Sequence, residues 1–159
     1  MDNKILIRKF EERDLAQLKA LYELLIAYHM DLDAFYYEKD NNFDAEIGVW
    51  LRTQMQNTYT QTFVADADGR MTGFINTMCK FWPGWYRVKE TGFISYAFVL
   101  ESFRGLGIGQ MLFDAAENWS REKRHPYVEV YVHSLNDLGI KAWTKYGMEE
   151  KVKYLTKKL

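Results

Sequence analysis

Residues 93–110 read Phe93-Ile94-Ser95-Tyr96-Ala97-Phe98-Val99-Leu100-Glu101-Ser102-Phe103-Arg104-Gly105-Leu106-Gly107-Ile108-Gly109-Gln110. The apolar run predicts a strand over 92–100. Glycines then punctuate a turn, and a helical pattern opens at Ile108. Ile108, Met111, Leu112, Ala115 and Trp119 keep the spacing of one helix face, with Glu117 and Arg121 as an i,i+4 ion pair on the other side. Strand, glycine-rich turn and helix start form a geometry that holds a phosphate. A helix N-terminus exposes unpaired N–H groups and a partial positive charge. Glycines let that backbone approach an anion, and Arg104 adds a fixed cation.

Three phosphate motifs compete for this stretch. A P-loop needs Lys-Ser/Thr after its last glycine, and Gln110-Met111 stands there instead. The dinucleotide fingerprint needs a third glycine where Gln110 falls. Glu129 lies near its acidic spacing, but the motif comes late in the chain, behind apparent antiparallel strands. The third pattern, R-x-x-G-x-G, is met by Arg104, Gly107 and Gly109. A turn that binds nothing is the remaining alternative.

Outward from this stretch, Met1-Asp2-Asn3-Lys4 leads into an alternating strand over 4–10. Asp14, with Gln17 three residues on, predicts a cap for a helix carrying Leu15, Leu18, Leu21, Tyr22, Leu25 and Ile26. Residues 29–43 read as an acidic, aromatic loop. Asp44 opens a second helix with Ile47, Trp50, Leu51 and Met55 on one face. Strands over 60–66 and 71–80 flank an Asp68-Gly69 hairpin turn. A loop with exposed-looking aromatics, Phe81 to Tyr86, precedes the strand over 92–100. After the Pro126 break come a strand over Tyr127–His133, a helix capped by Asn136 or Asp137 and ending near Gly147, and a final strand over 151–157. The order is β-α-α-β-β-β-α-β-α-β. It predicts one α/β (α+β) domain over 1–159: a mixed, mostly antiparallel twisted sheet of about six to seven strands with helices on both faces.

The 159 residues suffice for a full core, and 48% apolar with 27% charged residues is ordinary for a globular chain. A net charge of −1 supplies no field to attract nucleic acid or an anionic membrane. No signal-peptide core or transmembrane run is seen, and the single cysteine, Cys79, excludes an internal disulfide. These readings predict a cytoplasmic chain, with Cys79 a small buried hydrophobe. Three scattered histidines show no metal-ligand spacing, so no metal is expected.

The R-x-x-G-x-G loop and the element order resemble the GNAT superfamily of N-acetyltransferases over essentially the whole chain. The resemblance implies that Arg104, Gly105, Leu106, Gly107, Ile108, Gly109 and Gln110 wrap the pyrophosphate of acetyl-CoA (coenzyme A). It also implies that Val99 and Leu100 lend backbone to the pantetheine arm and the thioester oxygen. A bulge usual in that family strand would part it from the next one. The second family motif is met at Asn136 and Gly147; Gly139 and Met148 replace its Ala and Phe. Trp143 stands at the place of the family tyrosine that protonates the leaving thiolate. An indole N–H donates a hydrogen bond but is no proton source. Tyr146 is the substitute candidate, or a core aromatic near the helix end. Members are often dimers, so a homodimer is among the expectations.

Acetyl transfer needs a neutral amine, a donor for the oxyanion and tolerance of the leaving sulfur. The Val99 N–H fits the second need. Some members place a glutamate where Ser95 stands, and serine holds a water but is no base near neutral pH. Strand alternation predicts Phe93, Ser95 and Ala97 on the face of Val99, and Glu129, Tyr131 and His133 on one face of the next strand. Tyr131 or Glu129, acting through water, are the candidate bases. By family analogy, residues 29–43 and 81–91 shape the acceptor site, with Asp31, Asp33, Trp85 and Glu90 as candidate contacts for a cationic small-molecule or peptide amine. A non-catalytic acyl-CoA-binding or regulatory module on the same scaffold is the alternative function.

Overall fold

The computed structural model describes residues 4–159; the Met1–Asn3 lead-in lies outside the described residues. The elements are β1 (Ile5–Lys9), α1 (Leu15–Leu32), α2 (Ala34–Tyr37), α3 (Phe43–Gln56), β2 (Thr60–Ala67), β3 (Arg70–Phe81), β4 (Glu90–Val99), α4 (Ile108–Glu122), β5 (Val128–Val130) and α5 (Asp137–Lys145). Single 3₁₀ turns occupy Glu12–Asp14 and Glu101–Phe103. The strands lie in the order β1-β2-β3-β4-β5. The first four pair antiparallel, and β5 joins β4 in parallel through the α4 crossover.

The β2–β3 hairpin forms where Asp68-Gly69 predicts it. Asp68 (φ 53°) and Gly69 (φ 87°) both take the left-handed conformation that matches strand twist, between paired Ala67 and Arg70. Helices cover both faces of the sheet. On one face Leu18, Leu21, Tyr22 and Leu25 of α1 and Ile47 and Leu51 of α3 bury against Val64, Met71 and Phe74. On the other, Ile108, Leu112, Phe113 and Ala116 of α4 bury against Ala65, Ile75 and Ile94. Full burial of each such side chain stabilises by about 1.5–3 kcal/mol. The α4 stripe is rotated slightly from its expected position. Met111 is exposed, while Phe113 and Ala116 join Ile108, Leu112 and Trp119 inside.

Several expectations are corrected. Among the described residues the sheet has five strands rather than six to seven, because residues 151–157 form none and lie exposed. Their alternation supplies one apolar face, but no strand edge and no core receive it. The segment passes α2 instead, with the Lys158 ammonium 4.3 Å from the Phe35 ring centroid. Strand β5 keeps only Val128–Val130 of the expected 127–133, since β4 bends away beyond that point. Within the supposed loop 29–43, α1 continues to Leu32 and the Asp33 side chain caps α2 by accepting from the Tyr36 N–H at 3.1 Å. Helix α3 begins at Phe43, one residue before Asp44.

Asp14 precedes α1 but makes no side-chain cap. The Arg8 guanidinium takes it instead, at 2.6 and 2.8 Å, and also donates from Nε to Asp66 at 3.0 Å. Gln17 reaches the hairpin turn, donating to Gly69 O and accepting from Met71 N. Together these contacts tie β1, the entry to α1 and the β2–β3 hairpin.

Candidate functional site

The site is built on an irregularity in β4. Asn76 pairs with Tyr96 and Thr77 with Ile94, so Ser95 is an extra residue opposite β3. The bulge inverts the alternation expected along this strand. Ile94, not Phe93, shares the α4 face with Ala97 and Val99, while Phe93 lies on the opposite face with Lys80 and Tyr131. The β5 ladder also ends here. Gly92, Phe93 and Ile94 pair with Val128, Glu129 and Val130, and among the described residues no strand continues along that edge of β4 from Ser95 to Val99. The Ser95 hydroxyl is buried at this point with no protein partner.

The bare edge carries usable groups. The Leu100 N–H donates to Thr72 O at 2.8 Å. Antiparallel ladders alternate, so Ala97 and Val99 form non-hydrogen-bonded pairs with Ile75 and Gly73. Their N–H and C=O groups therefore point out of the ladder into the gap. The Val99 carbonyl accepts from Arg104 Nε at 3.1 Å, which holds the guanidinium beside the turn.

In that turn Gly105 (φ 78°) and Gly107 (φ 79°) are left-handed, a conformation that costs other residues about 1–2 kcal/mol. Open space surrounds both, so conformation rather than crowding requires glycine. Gly107 caps α4 without a side chain. The first-turn N–H groups of Ile108, Gly109 and Gln110 thus face outward at the positive helix end. Leu106 is exposed at the tip of the turn, and the Gln110 side chain is spent on Asp114 at 2.7 Å.

Helix α5 closes one side. Asn136 is its cap, accepting from Gly139 N at 2.8 Å and also from the Tyr28 hydroxyl at 2.8 Å. Trp143 and Tyr146 pack on Phe113 of α4, with ring centroids 6.1 and 5.3 Å away. The Tyr146 hydroxyl lies against Gly109 in the first turn of α4, at the phosphate end of the site. Burial, with the Asp114 charge, raises its pKa above that of an ordinary tyrosine, so it holds its proton firmly.

The structure brings Glu129 and Tyr131 together, but around a lysine that sequence reasoning missed. Lys80 Nζ lies 2.6 Å from Glu129 Oε2 and 3.0 Å from the Tyr131 hydroxyl. It also sits 4.5 Å from the Trp82 ring centroid and 5.4 Å from that of Phe93. Burial opposes its charge, yet the bonds to Glu129 and Tyr131 outweigh this and raise the Lys80 pKa. Glu129 is therefore an ion-paired carboxylate rather than a free base.

Of the acceptor candidates, Asp33 lies beside His133, three residues beyond the end of β5. Asp33 Oδ2 is 3.6 Å from His133 Nε2, and Tyr37 sits between His29 (stacked, 4.8 Å) and His133 (edge-on, 5.8 Å). Nδ1 of His133 accepts from Leu135 N, which leaves its neutral-form proton on Nε2 toward Asp33. Both ring nitrogens are then committed. Burial, then the nearby His133, lowers the pKa of His29 and keeps that ring neutral near pH 7. In the sequence His133 is marked by its alternation with Glu129 and Tyr131, while His29 is marked only by the aromatic stretch it opens. Asp31 is exposed on the last turn of α1. Trp85, at 83% exposure, lies in the β3–β4 loop beyond the other end of the strand. Glu90 belongs to a different cluster, 3.0 Å from His125 Nε2 and within 4.8 Å of the Cys79 sulfur. These last two are not brought to the gap.

A mixed sheet parted at a bulge, above a glycine-led helix with no side-chain cap, leaves a gap beside β4 that opens onto unpaired helix N–H groups. The chain belongs to the acetyltransferase (GNAT) family, whose sequence profile matches residues 18–148. It is 27% identical over 148 residues to an uncharacterized N-acetyltransferase of Methanocaldococcus jannaschii, covering 92% of this chain but only 63% of that curated relative. A predicted acetyltransferase from Clostridium acetobutylicum, solved with acetyl-CoA, superposes with a TM-score of 0.80 at 18% identity, covering 98% of this chain and 96% of that one. The aminoglycoside N-acetyltransferase AAC(6')-Iy in complex with CoA gives 0.78 at 21% identity, covering 100% and 97%. These two likenesses speak for the fold. Among the described residues no helix is long and apolar enough to cross a membrane.

Proposed function

We propose that this chain transfers an acetyl group from acetyl-CoA to a primary amine of a small molecule or peptide, by direct attack in a ternary complex. The observation that carries the reading is the parted edge of β4 above the α4 N-terminus. Acetyl-CoA, when bound, supplies an acyl group activated as a thioester. The N–H groups of Ile108, Gly109 and Gln110, with Arg104, hold the pyrophosphate. The outward groups of Ala97, with the lone pair left on the Val99 carbonyl beside Arg104, take the pantetheine amides as a neighbouring strand would. The Val99 N–H is a preorganised donor for the developing oxyanion, a role worth about 3 kcal/mol in comparable sites.

The amine, with a free pKa near about 10, must shed a proton before it attacks. Glu129 is committed to Lys80, so a water on the Ser95 hydroxyl relays the amine proton out to bulk solvent. Tyr146 points to the phosphate end, and Trp143 has no acidic proton. The thiolate, with a pKa of about 8.5 if it resembles cysteine, leaves as the anion. Asp33 and the aromatic Tyr37 favour a cationic small-molecule amine. Aminoglycoside acetylation on the same fold in AAC(6')-Iy is in keeping with that class.

The non-catalytic acyl-CoA-binding module stays as a second reading because Trp143 and the Lys80–Glu129 pair together remove the usual acid and a candidate base. Thiol release from acetyl-CoA, followed across a panel of amines, separates the two. Acceptor-dependent release is expected. Tight coenzyme A binding without release for any amine would favour the module. Gly107→Asp abolishes cofactor binding under either reading, and normal binding by that variant would overturn the site.

A further inference from the structure

The far end of β4 carries a second cluster of chemistry that the proposed reaction does not use. Cys79 comes from β3, Glu90 opens β4, and His125 lies in the turn between α4 and β5. The thiol sulfur, a carboxylate oxygen and an imidazole nitrogen lie within 4.8 Å of one another. Cys79 is 3% exposed and the His125 side chain 1%. Val99 lies nine residues along β4 from Glu90, about 30 Å at strand rise.

We propose that Cys79, Glu90 and His125 bind a zinc-class divalent cation that clips the α4–β5 turn to the start of β4. Thiolate, imidazole and carboxylate are the donor types that select zinc, and three protein ligands leave one position for water. Tetrahedral coordination at bond lengths of about 2.0–2.3 Å needs donors some 3.3–3.8 Å apart, so the side chains close only slightly. Glu90 is the exposed member and opens the fourth position to solvent. On binding, the Cys79 thiol releases its proton to solvent. The cation's two positive charges are then balanced by the thiolate and the Glu90 carboxylate, which leaves neighbouring Lys123 unopposed.

Two further observations fit. His125 Nδ1 and Ser120 Oγ are both buried without a partner, and both crowd the same face of Gly92. A metal on Nε2 fixes the proton on Nδ1, where a hydroxyl acceptor serves as the outer support that metal-bound histidines generally use. Arg124, immediately before His125, is left-handed (φ 63°), a strained conformation for a non-glycine residue. That conformation turns His125 inward, with its N–H on Ser120 O at 3.0 Å. The adjacent Gly92 N–H to Tyr127 O bond starts the three-residue β4–β5 ladder, so a clip here fastens the α4–β5 turn to the sheet where that ladder begins.

The test uses purified, chelator-treated protein and cobalt(II) as a spectroscopic probe. One cobalt per chain with a thiolate charge-transfer band is expected. Zinc should displace it and raise the melting temperature. Cys79→Ser should lose the band and the zinc-induced shift while coenzyme A binding, at the other end of β4, stays unchanged. Glu90→Gln should weaken cobalt binding at least tenfold with the band retained, a second check should the serine variant fold poorly. Absence of a thiolate band in the unsubstituted protein, or an equal zinc shift in Cys79→Ser, would overturn the proposal.

Discussion

Replacing Gly109 by alanine should destabilise this protein, although helix propensity alone says the reverse. Gly109 is the second residue of α4, where alanine is favoured over glycine by up to about 1 kcal/mol. A methyl group there would collide with the Tyr146 hydroxyl, while the ring carbon bearing that hydroxyl stays at an ordinary 3.6 Å. Tyr146 cannot swing aside freely, because it is stacked on Phe113 at 5.3 Å and meets Trp143 edge-on at 5.8 Å. Overpacking of this kind costs about 1–3 kcal/mol, so the net loss should be about 1 kcal/mol. Removing only the oxygen, by Tyr146→Phe, abolishes the collision and keeps the stacking. In that background Gly109→Ala should stabilise by up to about 1 kcal/mol. The coupling between the two changes is then about 1–3 kcal/mol, well above the few tenths expected of independent sites. Urea denaturation of the four proteins measures it. If alanine changes stability by the same amount in both backgrounds, the placement of Tyr146 over the first turn of α4 is wrong.

Arg104→Gln should weaken coenzyme A binding about 10- to 100-fold, the value of a charge-assisted hydrogen bond of about 1.5–3 kcal/mol, and should flatten its salt dependence; calorimetry at two ionic strengths checks both. Gly73→Ala sets a methyl 2.8 Å from the Phe98 carbonyl and 3.1 Å from Val99 Cγ2, so it should cost about 1–3 kcal/mol in denaturation and weaken cofactor binding by displacing the Val99 edge. The bonds from Arg8, and then the Glu11 N–H, hold the Asp14 carboxyl below the usual carboxylate range. Its stabilisation is therefore complete above the unfolded pKa of about 3.9 and is lost as pH falls through the lower folded value. Asp14→Asn should cost about 3 kcal/mol at neutral pH and flatten the acid limb of a stability–pH curve, since it leaves Arg8 half-buried with Asp66 alone.

What the sequence disclosed was local chemistry. Asp68-Gly69 dictates its own turn, and Gly105 and Gly107 announce left-handed backbone. The apolar period from Ile108 needs only its own spacing, although neighbouring packing shifted the buried stripe to include Phe113 and Ala116. What stayed hidden depends on partners far along the chain. Nothing in the composition around Ser95 marks an extra residue, because a bulge is defined by the strand opposite. Lys80 meets Glu129 only after α4 has carried the chain back to the sheet, and Cys79 meets His125 by the same return. Residues 151–157 alternate as a strand should, but alternation states a preference for an edge and a core that the fold does not offer there.

The extra residue at Ser95 also sets how the length of this chain can vary. Losing that one residue would make Thr77–Ile94 and Asn76–Tyr96 consecutive pairs and leave Ala97 and Val99 on the α4 face, but it would remove the bulge at which the β5 ladder ends. A single-codon deletion at this position thus acts on the opening beside β4 rather than on the core, whereas additions to the exposed 83–87 loop leave both the pairings and the bulge in place. Descendants of this gene can be expected to vary in length at that loop and to keep the distance from Ile94 to Arg104 constant.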